Sequence, residues 1–362
     1  MRVDRLWLTD FRSWATAELE LAPGLTAIVG ANGQGKTNLV EAVAYLATLS
    51  SFRGAPTDAL VRAGAERAVV RAEAERDRRH ILVEAEIVAG GRNRVQVNRQ
   101  RLARARDLLG ALRVSVFSPD DLELVKGGPG ERRRFLDDAL VAVTPRHDRT
   151  RTDLDRVLRQ RNALLRQAGG RLAPEVAATL DVWDARLAEV GETLAAARSD
   201  LVARLAPAVG AAYAALAGRA VDVELRYAPP WRAEGLAAAL AAARNDELRR
   251  GVSLVGPHRD DLEIVLDEMP ARTHASQGEQ RSLAYALRVA AHLAVTAEIG
   301  VPPVLVLDDV FSELDPRRGA ALLAGLPTGQ TLLTTAGHLP EGAQPDALVR
   351  IEGGRIVPVA AG

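Results

Sequence analysis

The segment Gly30-Ala31-Asn32-Gly33-Gln34-Gly35-Lys36-Thr37 matches the pattern G-x-x-x-x-G-K-[ST] in full. An apolar run, Leu25 to Val29, precedes it, and Leu39, Val40, Val43 and Leu46 follow at helical spacing. A strand that turns through three glycines into a helix can aim backbone N–H groups inward at phosphate, and the helix N-terminus adds positive partial charge. Lys36 is placed to reach the β- and γ-phosphates of a nucleotide, and the Thr37 hydroxyl to bind Mg²⁺. Of 47 basic residues only Lys36 and Lys126 are lysine, the rest being arginine. A lysine retained against that bias points to a need for a compact primary ammonium. A second segment, Val304-Leu305-Val306-Leu307-Asp308-Asp309, reads as a buried parallel strand ending in two acids. Asp308 at such a position can hold Mg²⁺, and Asp309 can orient or deprotonate an attacking water. The chemistry of the two segments together is that of binding and cleaving ATP.

Shortly before that strand lies Ser276-Gln277-Gly278-Glu279-Gln280-Arg281, and just after it Ser312-Glu313-Leu314-Asp315. The first resembles the signature of ABC-type ATPases, commonly L-S-G-G-Q, with Gln277 in place of the first glycine; the second resembles their D-loop. Ser276-x-x-Glu279 also reads as an ordinary capping box opening the helix Leu283 to Val295, and both readings are compatible. The resemblance implies that the signature faces the γ-phosphate held by the P-loop of a second copy. One chain then carries two half-sites, and ATP joins a two-fold homodimer. The cofactor-binding candidates are Gly30, Ala31, Asn32, Gly33, Gln34, Gly35, Lys36, Thr37 and Asn38 with Ser276, Gln277, Gly278 and Glu279. The catalytic candidates are Lys36, Asp308 and Asp309, and the metal candidates Thr37 and Asp308. Asp309 is shorter than the glutamate usual at that place in fast ABC ATPases, which points to slow hydrolysis suited to a timer. The Q-loop glutamine has no clear counterpart, Ser118-Pro119-Asp120-Asp121 occupying its region, and the switch histidine falls near Thr335 or Ala336. His338 reads as a surface residue.

The text around these motifs carries both the strand and the helix period. Arg2 to Leu8 and Thr16 to Leu21 alternate as strands; 68–75, 80–88, 93–97 and Leu112 to Phe117 are further strand candidates. From about 130 to 220 the text is rich in Ala, Leu, Arg and Glu. Leu154, Val157, Leu158, Leu164 and Leu165 predict one helix, and Leu180, Trp183, Leu187, Val190 and Leu194 the next, with a Gly169-Gly170 break between them. Arg249 to Leu266 is again strand-like. The expected fold is α/β: an ABC/SMC-like P-loop ATPase head, a mixed sheet with flanking helices, built from 1–120 and 250–362 around an inserted, mostly helical lobe, 121–249.

Bulk properties bound the rest. The chain has 362 residues, 48% hydrophobic and 26% charged, at a formal net charge of +0, so nucleic acid would have to be met by a local basic surface. It contains no cysteine, which excludes disulfides, thiolate metal sites and a thiol nucleophile. The N-terminus lacks the apolar core of a signal peptide, and Leu205 to Gly218 is too short for a membrane span. The expectation is a soluble cytoplasmic protein with no membrane partner.

Several segments narrow the resemblance: Asp10-Phe11-Arg12, Ser51-Phe52-Arg53, Phe117-Ser118-Pro119-Asp120-Asp121-Leu122, Gly127-Gly128-Pro129-Gly130-Glu131-Arg132-Arg133-Arg134-Phe135-Leu136-Asp137, Gly256-Pro257-His258-Arg259-Asp260-Asp261-Leu262, and Leu307-Asp308-Asp309-Val310-Phe311-Ser312-Glu313-Leu314-Asp315. Spread from end to end, they resemble the RecF family of bacterial recombination mediators. That resemblance implies ATP-driven dimerisation, binding to double-stranded DNA and duplex/single-strand junctions, and work with RecR and RecO in loading RecA at gaps, in repair, replication restart and SOS induction. Candidate DNA-facing arginines fall in three stretches: Arg92 to Arg106, Arg132 to Arg134, and Arg146 to Arg156. Two other readings stand beside this one. The nucleotide-binding subunit of an ABC transporter would show a clear Q-loop and switch histidine, and a small-molecule P-loop kinase would leave 276–281 without a role.

Overall fold

The computed structural model describes residues Met1 to Val357. In chain order the elements are β1 (Arg2–Phe11), β2 (Trp14–Glu20), β3 (Leu25–Val29), α1 (Lys36–Thr48), β4 (Arg67–Arg76), β5 (Arg79–Val88), β6 (Arg94–Val97), β7 (Gln100–Arg101) and β8 (Val114–Phe117). There follow α2 (Glu123–Lys126), α3 (Pro129–Val143), α4 (His147–Ala168), α5 (Pro174–Ala217), β9 (Val223–Arg226), α6 (Leu236–Arg250), β10 (Glu263–Leu266), β11 (Met269–Pro270) and α7 (Ala271–His274). The last are α8 (Gln277–Ile299), β12 (Val304–Asp308), α9 (Pro316–Ala324), β13 (Thr331–Thr335), β14 (Ala347–Glu352) and β15 (Arg355–Val357).

The chain divides into two compact units. The first comprises Met1–Leu122, Ala211–Ala220 and the chain from Gln277 onward; the second comprises Glu123–Gly210 and Val221–Ser276. The change in sequence texture puts the second boundary at 250. Residues 250–276 group with the helical unit instead, because β10 pairs with β9 and the loop between α6 and β10 bonds to α3, α4 and α5, and Ala211–Ala220 group with the first unit. The 250–362 span read from the sequence ends in residues 358–362, which lie outside the described residues.

The first unit holds two six-stranded sheets. One, in the order β2-β1-β4-β5-β6-β7, is antiparallel throughout. The other, in the order β15-β14-β3-β13-β12-β8, is parallel except for the β14–β15 hairpin. Helix α1 packs against both, so Leu39 to Ala47 is buried all round. Its Ala- and Val-rich text without a polar stripe is what such a place requires. The central parallel strands are buried on both faces, which explains their unbroken apolar runs. In β12 the period of two is visible: Val304 and Val306 join the core with α1, Leu305 and Leu307 the core with Phe117, Tyr285 and Leu322. The outer face of the antiparallel sheet is laced by cross-strand pairs such as Arg2–Glu75 and Arg71–Glu84.

The second unit is helical around a three-stranded sheet, β11-β10-β9. Its interior is charged. Arg161, fully buried, donates to Asp184 (2.6 Å), Glu247 (2.6 Å) and Ser253 Oγ (2.8 Å). Arg198 grips Asp137 with two hydrogen bonds (2.8 and 2.9 Å) and donates to the Pro257 carbonyl (2.8 Å). Such pairs are sustained only because each charge is fully hydrogen-bonded; removing one partner typically costs about 3–5 kcal/mol. The strand expected over Arg249 to Leu266 is confined to Glu263–Leu266. Gly251 caps α6 in a left-handed conformation (φ 65°), Gly256 has φ 125°, and Pro257 has no N–H to give a ladder. This loop is a structural hub. Asp260 accepts from Tyr227 Oη (2.7 Å) and Trp231 Nε1 (2.8 Å), and Asp261 takes two bonds from Arg132 (both 2.8 Å).

By length and composition α5 could cross a membrane. Five of its leucines are nevertheless core, Leu180, Leu187, Leu194, Leu201 and Leu205 being buried, although Val182 is exposed, and Arg198 among them is held in an ion pair.

Buried imidazoles give the fold a pH dependence. His292 on α8 is 1% exposed, meets Ser115 Oγ at 3.0 Å through Nδ1, and has no partner at Nε2. Desolvation pushes it down to about 4, below the roughly 6.5 of an unfolded histidine. The unfolded chain therefore takes up the proton first. The stabilisation is complete above about pH 6.5 and is lost as pH falls toward 4. Urea unfolding between pH 6.5 and 4.5 should show a slope shallower by about one proton in His292→Gln than in the wild type; an unchanged slope would remove His292 from this role.

Candidate functional site

The site is built where β3, β12 and β13 end, at the carboxyl edge of the parallel sheet, the place where such sheets bind ligands. Chain 30–35 leaves β3 and turns tightly into α1, with Gly33 at φ 79° and Gly35 at φ 96°. Two further approaches need glycine. A Cβ on Gly30 would lie 2.5 Å from the Ile351 carbonyl, and one on Gly35 would lie 2.8 Å from Ser13 Oγ and 2.9 Å from Trp14 Nε1. The β1–β2 turn is thus seated on the glycine loop. Trp14 Nε1 donates to the Gly35 carbonyl (3.1 Å) and Asn38 Nδ2 to Ser13 Oγ (2.8 Å). Arg12 holds the same turn to α1 by two bonds to the buried Glu41 (2.7 and 2.8 Å). On the other side Gln34 Oε1 accepts from Gly354 N in the β14–β15 turn (2.8 Å).

Lys36 is buried and donates to the Gly30 and Ala31 carbonyls (2.7 and 2.9 Å), curled back over its own loop. Burial lowers its pKa, against the opposing pull of Asp309 and Asp308. Thr37 Oγ1 donates to Asp308 Oδ1 at 2.9 Å. The same oxygen accepts from Thr334 Oγ1 at 2.7 Å, joining α1, β12 and β13 at one carboxylate. Desolvation raises the Asp308 pKa; the bonds from Thr334 and Thr37 and the charge of Arg53 lower it. Asp309 sits in the left-handed region (φ 51°), its N–H bonded to Thr334 Oγ1 (3.0 Å), and its Oδ1 is buried without a protein partner. An orphaned buried oxygen beside a threonine hydroxyl and a second carboxylate fits a hydrated divalent cation, which needs hard oxygen donors and keeps several waters. No cluster of three or more His, Cys, Asp or Glu side chains able to hold a metal exists among the described residues.

The signature-like segment opens α8 immediately after Ser276. Its start is latched to the D-loop-like segment: Arg281 pairs with Glu313 and donates to its carbonyl (2.8 Å), and Arg318 lies against Gly278, 2.5 Å from where a Cβ would be. Asp315 caps α9 by accepting from Arg318 N (3.0 Å). In the Q-loop region Asp121 accepts from Ser118 N (2.9 Å) and from Arg288 of α8 (2.6 Å), tying the end of β8 to the signature helix. His338 is exposed.

The structure therefore brings together Gly30 to Asn38, Asp308 and Asp309, while Gly278 lies against Arg318, Glu279 pairs with Arg219, and Ser276 is the last residue of the second unit. Sequence reasoning missed Thr334, Arg53 and the Ser13-Trp14 turn. A signal for Thr334 existed: β13 carries Thr331, Thr334 and Thr335 in an otherwise apolar strand, and buried hydroxyls need partners.

This strand, glycine turn and helix, with a paired acid strand and two flanking sheets, make the first unit the head of an SMC-type P-loop ATPase. The model of the RecF/RecN/SMC N terminal domain matches residues 2–332. The DNA replication and repair protein RecF of Streptomyces avermitilis is 50% identical over 351 residues, covering 93% of each chain; that of Kineococcus radiotolerans is 48% identical over 362 residues, again covering 93% of each. A solved structure of the recombination mediator protein RecF-ATP in the RecFOR pathway superposes with a TM-score of 0.90 at 27% identity, covering 99% of this chain and 97% of that one. An Smc head domain from Pyrococcus furiosus bound to part of ScpA shares the fold, at a TM-score of 0.58 and 17% identity. The chain belongs to the RecF family. These relatives do not favour a transporter subunit.

Gly35→Ala tests the seat of the turn on the glycine loop. Backbone strain and the clash with Ser13 and Trp14 should lower stability by about 1–3 kcal/mol in urea unfolding; an unaltered midpoint would show that the turn gives way freely.

Proposed function

We propose that this chain is an ATP-dependent DNA-binding switch of recombinational repair and replication restart. The observation that carries the reading is the Thr37–Asp308 bond with the unpartnered Asp309 oxygen beside it. It is a place prepared for a cation and a water at the mouth of a phosphate-sized glycine loop. The backbone N–H groups of 30–38 cradle the triphosphate. Lys36 leaves the Gly30 and Ala31 carbonyls to meet the β- and γ-phosphates. Thr37 and Asp308 would hold Mg²⁺, whose charge would offset that of the phosphates. Asp309 orients the attacking water; its short side chain and strained backbone favour slow turnover, a timer more than a motor.

Ser276, Gln277, Gly278 and Glu279 meet the γ-phosphate bound by a second copy, so ATP assembles a two-fold dimer. That dimer binds duplex DNA and duplex/single-strand junctions in the cytoplasm and, with RecO and RecR, helps load RecA at gaps. This part rests on the family and on the RecF-ATP structure of the RecFOR pathway. DNA dependence of the ATPase belongs to the same reading.

Light scattering with ATP, together with duplex binding, tests it. Wild type should double in mass and bind DNA only with ATP. Lys36→Ala should lose nucleotide binding and dimer together, by at least tenfold in affinity. Ser276→Arg should bind ATP normally yet stay monomeric. A Lys36→Ala protein that still dimerises on ATP would refute the reading.

A further inference from the structure

Of the three arginine stretches, the second is tied to neighbouring groups and the third, Arg146 apart, is paired with acids of its own surroundings. Arg132 is buried on Asp261, Arg133 donates to the Asp260 carbonyl (2.7 Å), and Arg134 pairs with Glu131. Arg149 and Arg156 pair with Asp153, and Arg151 with Asp138 and Asp148. The first stretch is different. Arg92, Arg94, Arg101, Arg104 and Arg106 line a cavity of about 600 Å³ at the β6–β7 edge of the antiparallel sheet. All five are exposed. Among the described residues only Arg94 has a carboxylate in ion-pair range of its guanidinium, Glu86 at 3.6 Å, which it shares with Arg67; the acid on the adjoining turn, Asp107, accepts from the Arg104 backbone N–H (3.2 Å). Elsewhere on the same sheet arginines are matched across strands by glutamates. In a chain of formal net charge +0, this edge is a local excess of positive charge.

The pocket is also built. Asn93 on its wall accepts from Val88 N (3.0 Å) and donates to Tyr45 Oη (3.2 Å), fixing the arginine segment on α1, the helix that begins at the glycine loop. Val95 and Leu102 give it an apolar floor, and no aromatic ring lines it.

We infer that this pocket is where the first unit grips the phosphodiester backbone of duplex DNA. The inference rests on the DNA-binding reading above and adds which surface makes the contact. Guanidinium groups in number favour bidentate phosphate contact. Without an aromatic platform there is nothing for an unstacked base to lie on, so a duplex is preferred over a single strand. Contacts of this kind position the molecule on DNA without reading sequence.

The test is duplex binding by fluorescence anisotropy with ATP, as a function of salt, comparing wild type with the double variant Arg101→Glu/Arg104→Glu. Arg149→Glu, taken from a paired surface, is the control. Affinity should fall on the order of 10–100-fold at 0.15 M salt, and the log–log salt slope should shrink by roughly 2, while the control changes little. ATP binding and the ATP-induced mass of the double variant should match wild type, which excludes misfolding. A double variant that binds duplex as tightly as a wild type that itself binds would overturn the inference and leave the proposed function standing. Wild type that fails to bind duplex under ATP would overturn both. A single-stranded oligonucleotide competing as well as duplex would refute the duplex preference. Unaltered DNA affinity with lost binding to a polyglutamate peptide would reassign the pocket to an acidic protein.

Discussion

A single carboxylate, Asp308, holds the site together. One of its oxygens accepts from Thr37 and Thr334, residues separated from it by 271 and 26 positions in the chain. Burying that charge costs free energy, and the raised pKa records the cost. The two hydroxyls offset it and fix where α1 begins relative to β12 and β13. A cation held between Thr37 and Asp308 would add to the countercharge that Lys36 and Arg53 provide. The strained Asp309 and the curled Lys36 are consistent with a site arranged for a ligand's charge more than for the isolated chain's stability.

Around that point the architecture is a set of clamps. The β1–β2 turn closes on the glycine loop through Trp14 and on α1 through Arg12–Glu41. The β14–β15 turn reaches Gln34 from the other side. The signature-like start of α8 is joined to the D-loop-like segment through Arg281–Glu313, and farther along the helix to the end of β8 through Arg288–Asp121. Helix α1, which begins at the glycine loop, packs against both sheets.

What was legible in the sequence follows from what is local. The glycine loop, the acid-ended strand and the period-two strands declare themselves within a few residues, because backbone geometry imposes them within a few residues. Thr334, Arg53 and the Ser13-Trp14 turn do not, since their roles arise from approach across the fold. The loop 251–262 reads as strand from its apolar residues, yet Gly251, Gly256 and Pro257 forbid a ladder, and its purpose emerges only from Arg132, Arg161 and Arg198 reaching it from three helices. The arginine stretches looked equivalent for the same reason. Some of the acids that pair with them are local, as in Arg134–Glu131 and Arg156–Asp153, but Arg132–Asp261 and Arg151–Asp138 join residues that the sequence keeps apart.

The central claim is that ATP is clamped between the glycine loop of one copy and Ser276 of another. The absence of cysteine from the chain makes a direct measurement possible. Asn32→Cys and Ser276→Cys proteins, both exposed positions, are mixed and treated with a short bis-thiol reagent. The account requires a crosslinked pair containing one of each, formed with ATP and not without it. No such pair with ATP, or a crosslink closing within a single chain that carries both substitutions, would contradict it.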